Sequence, residues 1–326
     1  MADIPTMMTA HILIGISGWR YPPWRKVFYP KDLTQKRELE FASHALPTIE
    51  LNGSFYALQR PGSYMQWYAQ TPAGFVFSIK ANRYITHILR LQNIETALAN
   101  FFASGLLALK EKLGPILWQF PPSFKFDAGL FESFLKQLPQ DTHAAASLAE
   151  KRDSSMQQRE FFIVDQKMPL RHAVEIRNKS FETEEFVRLL RKYHVALVIA
   201  DTAGKWPYKE DITADFTYLR LHGDAELYRS GYKDQALDRW AARITDWSQG
   251  TQPPDAQLIS DLSLPQRNCR DVYCYFDNDI KVKAPFDARR LLQRLNLESG
   301  LAAFDWSHAE DPGEMNPTKA RGAKSK

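Results

Sequence analysis

The stretch Ala173–Phe181 reads AVEIRNKSF and sets a carboxylate and a guanidinium two residues apart on what its neighbours make a strand. Val174 and Ile176 are β-branched and suit a packed, pleated surface. Side chains on a strand alternate faces, so Glu175 and Arg177 share one. With Val174 and Ile176 turned to a layer of helices, the charged pair faces a lined interior. The same pairing recurs along the chain. Glu50 and Asn52 share a face, as do Ser78 and Lys80, and Arg220 and His222. Gln119 ends another apolar run, and two more end at Asp201 and at Asp277-Asn278-Asp279. Each polar residue falls at the C-terminal end of its strand, where barrel enzymes build their sites. Buried charge is costly unless paired, so such repetition points to a site. The competing reading is an ion network that fills barrel space.

Lys80, Arg177 and Arg220 bring three cations, with Glu50, Glu175 and Asp201 as counter-charges. A ring of this composition suits a small molecule bearing phosphate or carboxylate, because guanidinium forks grip such groups with two hydrogen bonds. Glu50 or Glu175 can serve as general base, and His222 as acid or base near neutral pH. Lys80, close to two guanidinium groups, can act as base or nucleophile if its pKa is lowered. Against these roles stand a salt bridge from Lys80 to Glu50 or Glu175, and a hydrogen-bonded core position for His222. The catalytic set is therefore Glu50, Lys80, Glu175 and His222. The substrate-binding set is Trp19, Tyr21, Asn52, Tyr56, Arg83, Gln119, Arg177, Asp201, Arg220 and Asn278.

The loops after the strands are aromatic. Trp19, Tyr21 and Tyr56 are expected nearest the ligand, while Trp24, Phe28 and Phe55 wedge loops together. Arg83, Thr86 and His87 can hold an anion or cap the turn that follows them. No cofactor is expected. A divalent metal on Glu50, Glu175, Asp201 and His222 is the competing enzyme reading, opposed by the interleaved cations. A nucleic-acid-binding barrel is the non-enzyme reading. It would use Arg20, Arg25, Lys26, Lys205 and Lys209, with the aromatics gripping an unstacked base.

The elements that must position these residues alternate. Apolar strands are expected at His11–Ser17, Pro47–Asn52, Phe75–Lys80, Pro115–Phe120, the Ala173 stretch, Val195–Asp201, Phe216–His222 and Val272–Asp277. Helical patterns lie at Gln35–Ala45, Ser63–Gln70, Asn93–Lys112, Ala128–Leu138, Glu182–Lys192, Leu237–Thr245 and Ala288–Leu297, with Ser180 as a cap for the fifth. Eight strand–helix units imply an α/β fold, a TIM-type (β/α)8 barrel. It forms a single domain over residues 1–306. Asp141–Glu160 is a polar insertion between strands four and five, with an alanine-rich helical start and a mobile connection. Residues 307–326 read as a disordered tail.

The chain has 326 residues, 44% of them hydrophobic and 25% charged, an ordinary globular balance. A net charge of +4 favours anionic partners weakly and does not by itself call for nucleic acid. Cys269 and Cys274 show no zinc-type spacing and fit buried thiols in a reducing compartment. No signal segment and no bilayer-spanning apolar run is visible, so the expectation is a cytoplasmic protein without a membrane partner.

The blocks GISGWRYPPW, ELNGSFY, FSIKANRYITH, GPILWQFPPSF, AVEIRNKSF, VIADTAG, YLRLHG and VYCYFDND resemble, in order, those of the YecE-like family, domain of unknown function 72. The resemblance runs from the first strand to the last helix. It implies a TIM-type barrel and carries no activity with it. By fold analogy it also implies kinship with barrel endonucleases that act at abasic sites. Asn178-Lys179-Ser180-Phe181 stands where relatives often show His-Pro-Ser-Trp, a departure placed to alter contacts in the fifth loop.

Overall fold

In the computed structural model, which describes residues 9–224, 227, 230–279 and 281–307, eight parallel strands close into one barrel in sequence order. They are β1 (Ile12–Ser17), β2 (Thr48–Leu51), β3 (Val76–Lys80), β4 (Leu113–Gln119), β5 (His172–Glu175), β6 (Ala196–Asp201), β7 (Phe216–Leu221) and β8 (Asp271–Phe276). The helices are α1 (Glu38–Ala45), α2 (Gly53–Tyr56), α3 (Pro61–Gln70), α4 (Glu95–Ala103), α5 (Ala128–Gln137), α6 (Thr142–Ala149), α7 (Glu184–Lys192), α8 (Asp234–Ser248) and α9 (Ala284–Arg294). A parallel connection needs a crossover, and helices supply it here.

Alternation along the strands builds two cores. Ile14, Ile16, Ile49, Leu51, Phe77, Ile79, Trp118, Val174, Leu197, Ile199, Leu219 and Phe276 are buried in the larger cluster, which includes residues of the helices. Leu117, Ala173, Val198, Ala200, Tyr218, Tyr273 and Tyr275 form the second cluster, inside the barrel. Val174 and Ile176 thus face helices and Glu175 faces inward, as the alternation requires. Gly15 on β1 lies hard against Thr48 on β2. A Cβ there would lie 1.8 Å from the Thr48 carbonyl oxygen, so only glycine lets β1 and β2 approach.

Three local expectations are corrected. The helix read over Asn93–Lys112 stops at Ala103, because Gly105 takes φ 109° against Pro61, and a 3-10 segment Leu106–Lys112 follows. Ser180 does not cap the fifth helix. Its Oγ accepts from Phe126 N, and the Thr183 side chain accepts from Phe186 N to start α7. The last two helices begin earlier than their apolar stripes suggest, at Asp234 and at Ala284. The insertion carries its helix, α6, with Ala145 and Ala149 buried, and it is tied down beyond it. Asn100 and Asp153 exchange hydrogen bonds, and Phe161 N donates to Ala103 O. Of the tail read as disordered, the residues after Ser307 lie outside the described residues.

Candidate functional site

Arg220, at the C-terminal end of β7, is 1% exposed and organises the mouth of the barrel. Its Nε donates to Glu50 Oε2 at 2.9 Å and its Nη2 to Glu50 Oε1 at 2.8 Å, a two-pronged bond to β2. Nη1 donates to Glu175 Oε2 on β5 at 2.7 Å, and Nη2 also reaches Asp277 Oδ2 after β8 at 2.9 Å. One guanidinium therefore holds three carboxylates from three strands. Burial alone would weaken the cation, but Glu50, Glu175 and Asp277 raise its pKa far above the ordinary value.

Each carboxylate has further donors. Glu50 accepts from Ser17 Oγ at 2.5 Å and from Tyr218 OH at 2.7 Å. Glu175 accepts from Gln119 Nε2 and Arg177 Nε, both at 2.8 Å. Against the effect of burial, Arg177 and Arg220 hold the Glu175 carboxyl well below the usual range. His222 Nδ1 lies 3.0 Å from Asp277 Oδ2. Burial works against ionisation of Asp277 too, but Arg220 and His222 keep it down to about 2. Asp279, two residues on, is pushed up to about 6 by burial and by the Asp277 charge. Two neighbouring carboxyls so separated can divide acid and anion roles between them.

Lys80 stands apart from this network. Among the described residues its Nζ makes no hydrogen bond and meets no carboxylate at ion-pair distance; it lies 4.4 Å over the Phe55 ring. The competing reading, a salt bridge to Glu50 or Glu175, is not formed, and Arg220 is bonded to both carboxylates. Burial and the Arg220 charge bring the Lys80 ammonium down to about 8. His87 packs on the other partner of that ring contact, 5.1 Å from Phe55, and falls to about 4 through burial and the Lys80, Arg83 and Arg177 charges. Arg177 lays its guanidinium 3.7 Å from the Trp206 ring centroid.

The ring thus gathers Glu50, Lys80, Gln119, Glu175, Arg177, Arg220 and His222, with Asn52 joined through Ser17 Oγ at 2.8 Å. Tyr21 hydrogen-bonds the Ser17 carbonyl beside Asp279, and burial and that carboxylate push its hydroxyl up. Other expected residues lie elsewhere. Trp19 is 6% exposed and packs on Trp67 and Phe77 in the helix layer, because Gly18 at φ 89° turns the chain out of β1. Asp201 shares the outward face of Leu197 and Ile199, where it accepts from Tyr232 OH at 3.0 Å. Asn278 is likewise outward and donates to Asp287 on α9 at 2.9 Å. Tyr56 is 71% exposed and lines a cleft of about 380 Å³ with Asn82, Tyr84 and Asn100. Arg83 is exposed at the rim.

Ser17, His87, Trp206, Tyr218, Asp277 and Asp279 belong to the arrangement beyond the expected sets. The inward parity of β1, β7 and β8 was the signal for Ser17, Tyr218 and the two aspartates. Among the described residues no group of three His, Cys, Asp or Glu is placed to hold a metal ion. Glu50 and Glu175 are bound to Arg220, and Asp201 faces away. No helix among the described residues is long and apolar enough to cross a membrane.

A family model described as "Protein of unknown function DUF72" matches residues 13–310. The UPF0759 protein YunF of Bacillus subtilis is 32% identical over 118 residues, which are 35% of this chain and 41% of that relative. The UPF0759 protein YecE of Escherichia coli K12 is 23% identical over 248 residues, covering 74% of this chain and 84% of YecE. A DUF72 protein crystal structure from Thermotoga maritima superposes with TM-score 0.62 at 23% identity, covering 88% of this chain and 99% of the other. One from Enterococcus faecalis gives TM-score 0.62 at 17% identity, with coverage of 90% and 97%. At such identity these structures speak for the fold alone.

Proposed function

The chain belongs to the DUF72 family, a description that carries no activity, and from its own geometry we propose an enzyme acting on an anionic small molecule at the C-terminal mouth. The observation that carries this reading is Lys80. Glu50, Glu175 and Asp277 are each hydrogen-bonded to Arg220, which leaves a buried ammonium on an aromatic face with no direct ion pair among the described residues. A buried cation without a partner is costly, and a phosphate or carboxylate would supply what is missing. Arg220, spent on three carboxylates, acts as scaffold. Lys80, the outer face of Arg177 and the rim Arg83 are the groups left to meet an anion. Asp279 and His222 stand behind them as proton carriers, while Glu175 and Asp277 are held as anions.

The nucleic-acid reading draws less support. Arg25 is engaged with buried Glu38 at 2.8 Å and Lys209 with Glu182 at 3.1 Å, so two of its five basic residues are already paired.

The test is thermal melting of wild type and Arg177→Met against inorganic phosphate, pyruvate, citrate and glycerol phosphate. Binding to the native state raises the melting temperature by mass action, about 2.7 kcal/mol at a hundredfold excess over Kd. Wild type should rise with at least one anion. Arg177→Met should lose most of that rise while melting close to wild type without additive, because Glu175 keeps Arg220 and Gln119. A wild type indifferent to all four, with a variant that melts far lower, would leave a structural ion network.

A further inference from the structure

We propose that Lys80 is a nucleophile and that the anionic substrate carries an aldehyde or ketone, which Lys80 captures as an imine. This rests on the anion reading above and specifies its substrate class. The geometry leaves Lys80 without a direct ion pair, and the charges of Glu50, Glu175 and Asp277, which favour its ammonium from farther off, are outweighed by burial and Arg220. Glu50 from β2, Glu175 from β5 and Asp277 after β8 all hydrogen-bond to Arg220. A lysine whose task was to hold charge would compete for one of them. Nζ instead rests on the Phe55 face, with the Arg220 cation near enough to disfavour a second charge. Its neighbours from other elements are His87, held neutral, and Arg177, already bonded to Glu175. An apolar wall and an adjacent cation are two recognised means of freeing a lysine amine. With its ammonium brought down to about 8, roughly a tenth of Lys80 is neutral at pH 7.

The chemistry balances without an oxidant or reductant. The Nζ lone pair forms the C–N bond while the carbonyl π pair moves to oxygen. Nitrogen gives up a proton and oxygen gains one, forming a carbinolamine. A further proton from solvent lets the hydroxyl leave as water, breaking the C–O bond and leaving a protonated imine. Arg177 and Arg83, whose charges reach His87 as the Lys80 charge does, would hold the anionic end of the same molecule. Such an imine draws electrons from the adjacent carbon, which suits bond making or breaking there.

The experiment traps the imine. Wild type is incubated with pyruvate, glyoxylate or pyridoxal phosphate, reduced with borohydride, digested and mapped by mass spectrometry. A reduced adduct adds the mass of the probe less one oxygen atom. The expected result is an adduct on Lys80 that exceeds those on exposed lysines, diminishes when inorganic phosphate is present, and forms half-maximally near pH 8. Lys80→Arg serves as the second arm, keeping a cation for anions while unable to form the adduct. Melting shifts with phosphate in wild type, without any Lys80 adduct from the three probes, would overturn the imine and leave the anion reading standing. Absence of both would remove both. Adducts confined to exposed lysines, or insensitive to phosphate, would also overturn it.

Discussion

Arg220 and Arg171 both gather carboxylates at opposite ends of one barrel, and they do so to different effect. At the N-terminal end Arg171 donates to Asp271 at 2.6 Å and to Asp215 at 3.3 Å, lying 5.2 Å over the Phe216 ring. Its side chain is 26% exposed and borders a cleft of about 450 Å³. Solvent can replace much of what either aspartate supplies. At the mouth the Arg220 side chain is 1% exposed and its partners have no such substitute. The mouth also holds cations beyond those its carboxylates use, and the floor cluster closes on itself. An ion network built for packing ends with its partners matched, whereas this one keeps Lys80 over.

The largest test of that contrast removes each arginine. Arg220→Met should cost at least about 3–5 kcal/mol in urea unfolding, since three buried carboxylates lose their shared partner. Arg171→Met should cost no more than about 1 kcal/mol, as for other solvent-accessible pairs. Equal losses would erase the distinction between the two ends. A smaller and opposite effect is expected at Lys80. Its pKa is lower in the folded protein than in the unfolded chain, so the unfolded state binds more protons between about pH 8 and 10.5. Stability from this group therefore rises with pH across that window, and below it the penalty is complete. Lys80→Met should be more stable than wild type by about 1–3 kcal/mol at pH 7, with the gap narrowing towards pH 10.5. A Lys80→Met protein less stable than wild type at pH 7 would mean the ammonium is paired after all.

Asp279 gives the smallest signal. Its folded pKa, about 6, is above the ordinary carboxyl value, so the native state binds more protons between roughly pH 4 and 6. Stability falls with rising pH over that interval, by about 1 kcal/mol once solvent screening is allowed for. Asp279→Asn should flatten this slope in denaturation curves taken from pH 4 to 6.5. An unchanged slope would assign the titration to another group.

The barrel was legible because apolar runs and helical stripes alternate, and Val174-Glu175-Ile176-Arg177 fixes its own faces. Parity was harder to read on β6 and β8. Val-Ala-Leu-Val-Ile-Ala-Asp and Val-Tyr-Cys-Tyr-Phe-Asp carry little apolar–polar alternation, as expected of strands buried on both faces. Asp201 and Asn278 therefore turn outward against expectation, and Asp277 and Asp279, visible at the strand end, stand outside the expected site sets. Trp19 has the inward parity of Ser17, but parity ends where Gly18 bends the backbone. The Lys80 environment was beyond sequence, because which cation wins a carboxylate depends on reach and angle across the lumen. Arg220 wins both glutamates with a planar fork that an ammonium cannot match.

The span of that fork bears on how the chain folds. Glu50 comes from the first half of the barrel, whereas Glu175, Arg220 and Asp277 come from the second. A first-half fragment would bury Glu50 without its guanidinium. A second-half fragment would hold Arg220 with two carboxylates and an empty prong. Neither half can complete its charge pairing until the barrel closes, so a half-formed barrel is held at a disadvantage against both the open chain and the finished one. The guanidinium thus couples the two halves into one folding unit, pushing a chain of this length towards all-or-none assembly.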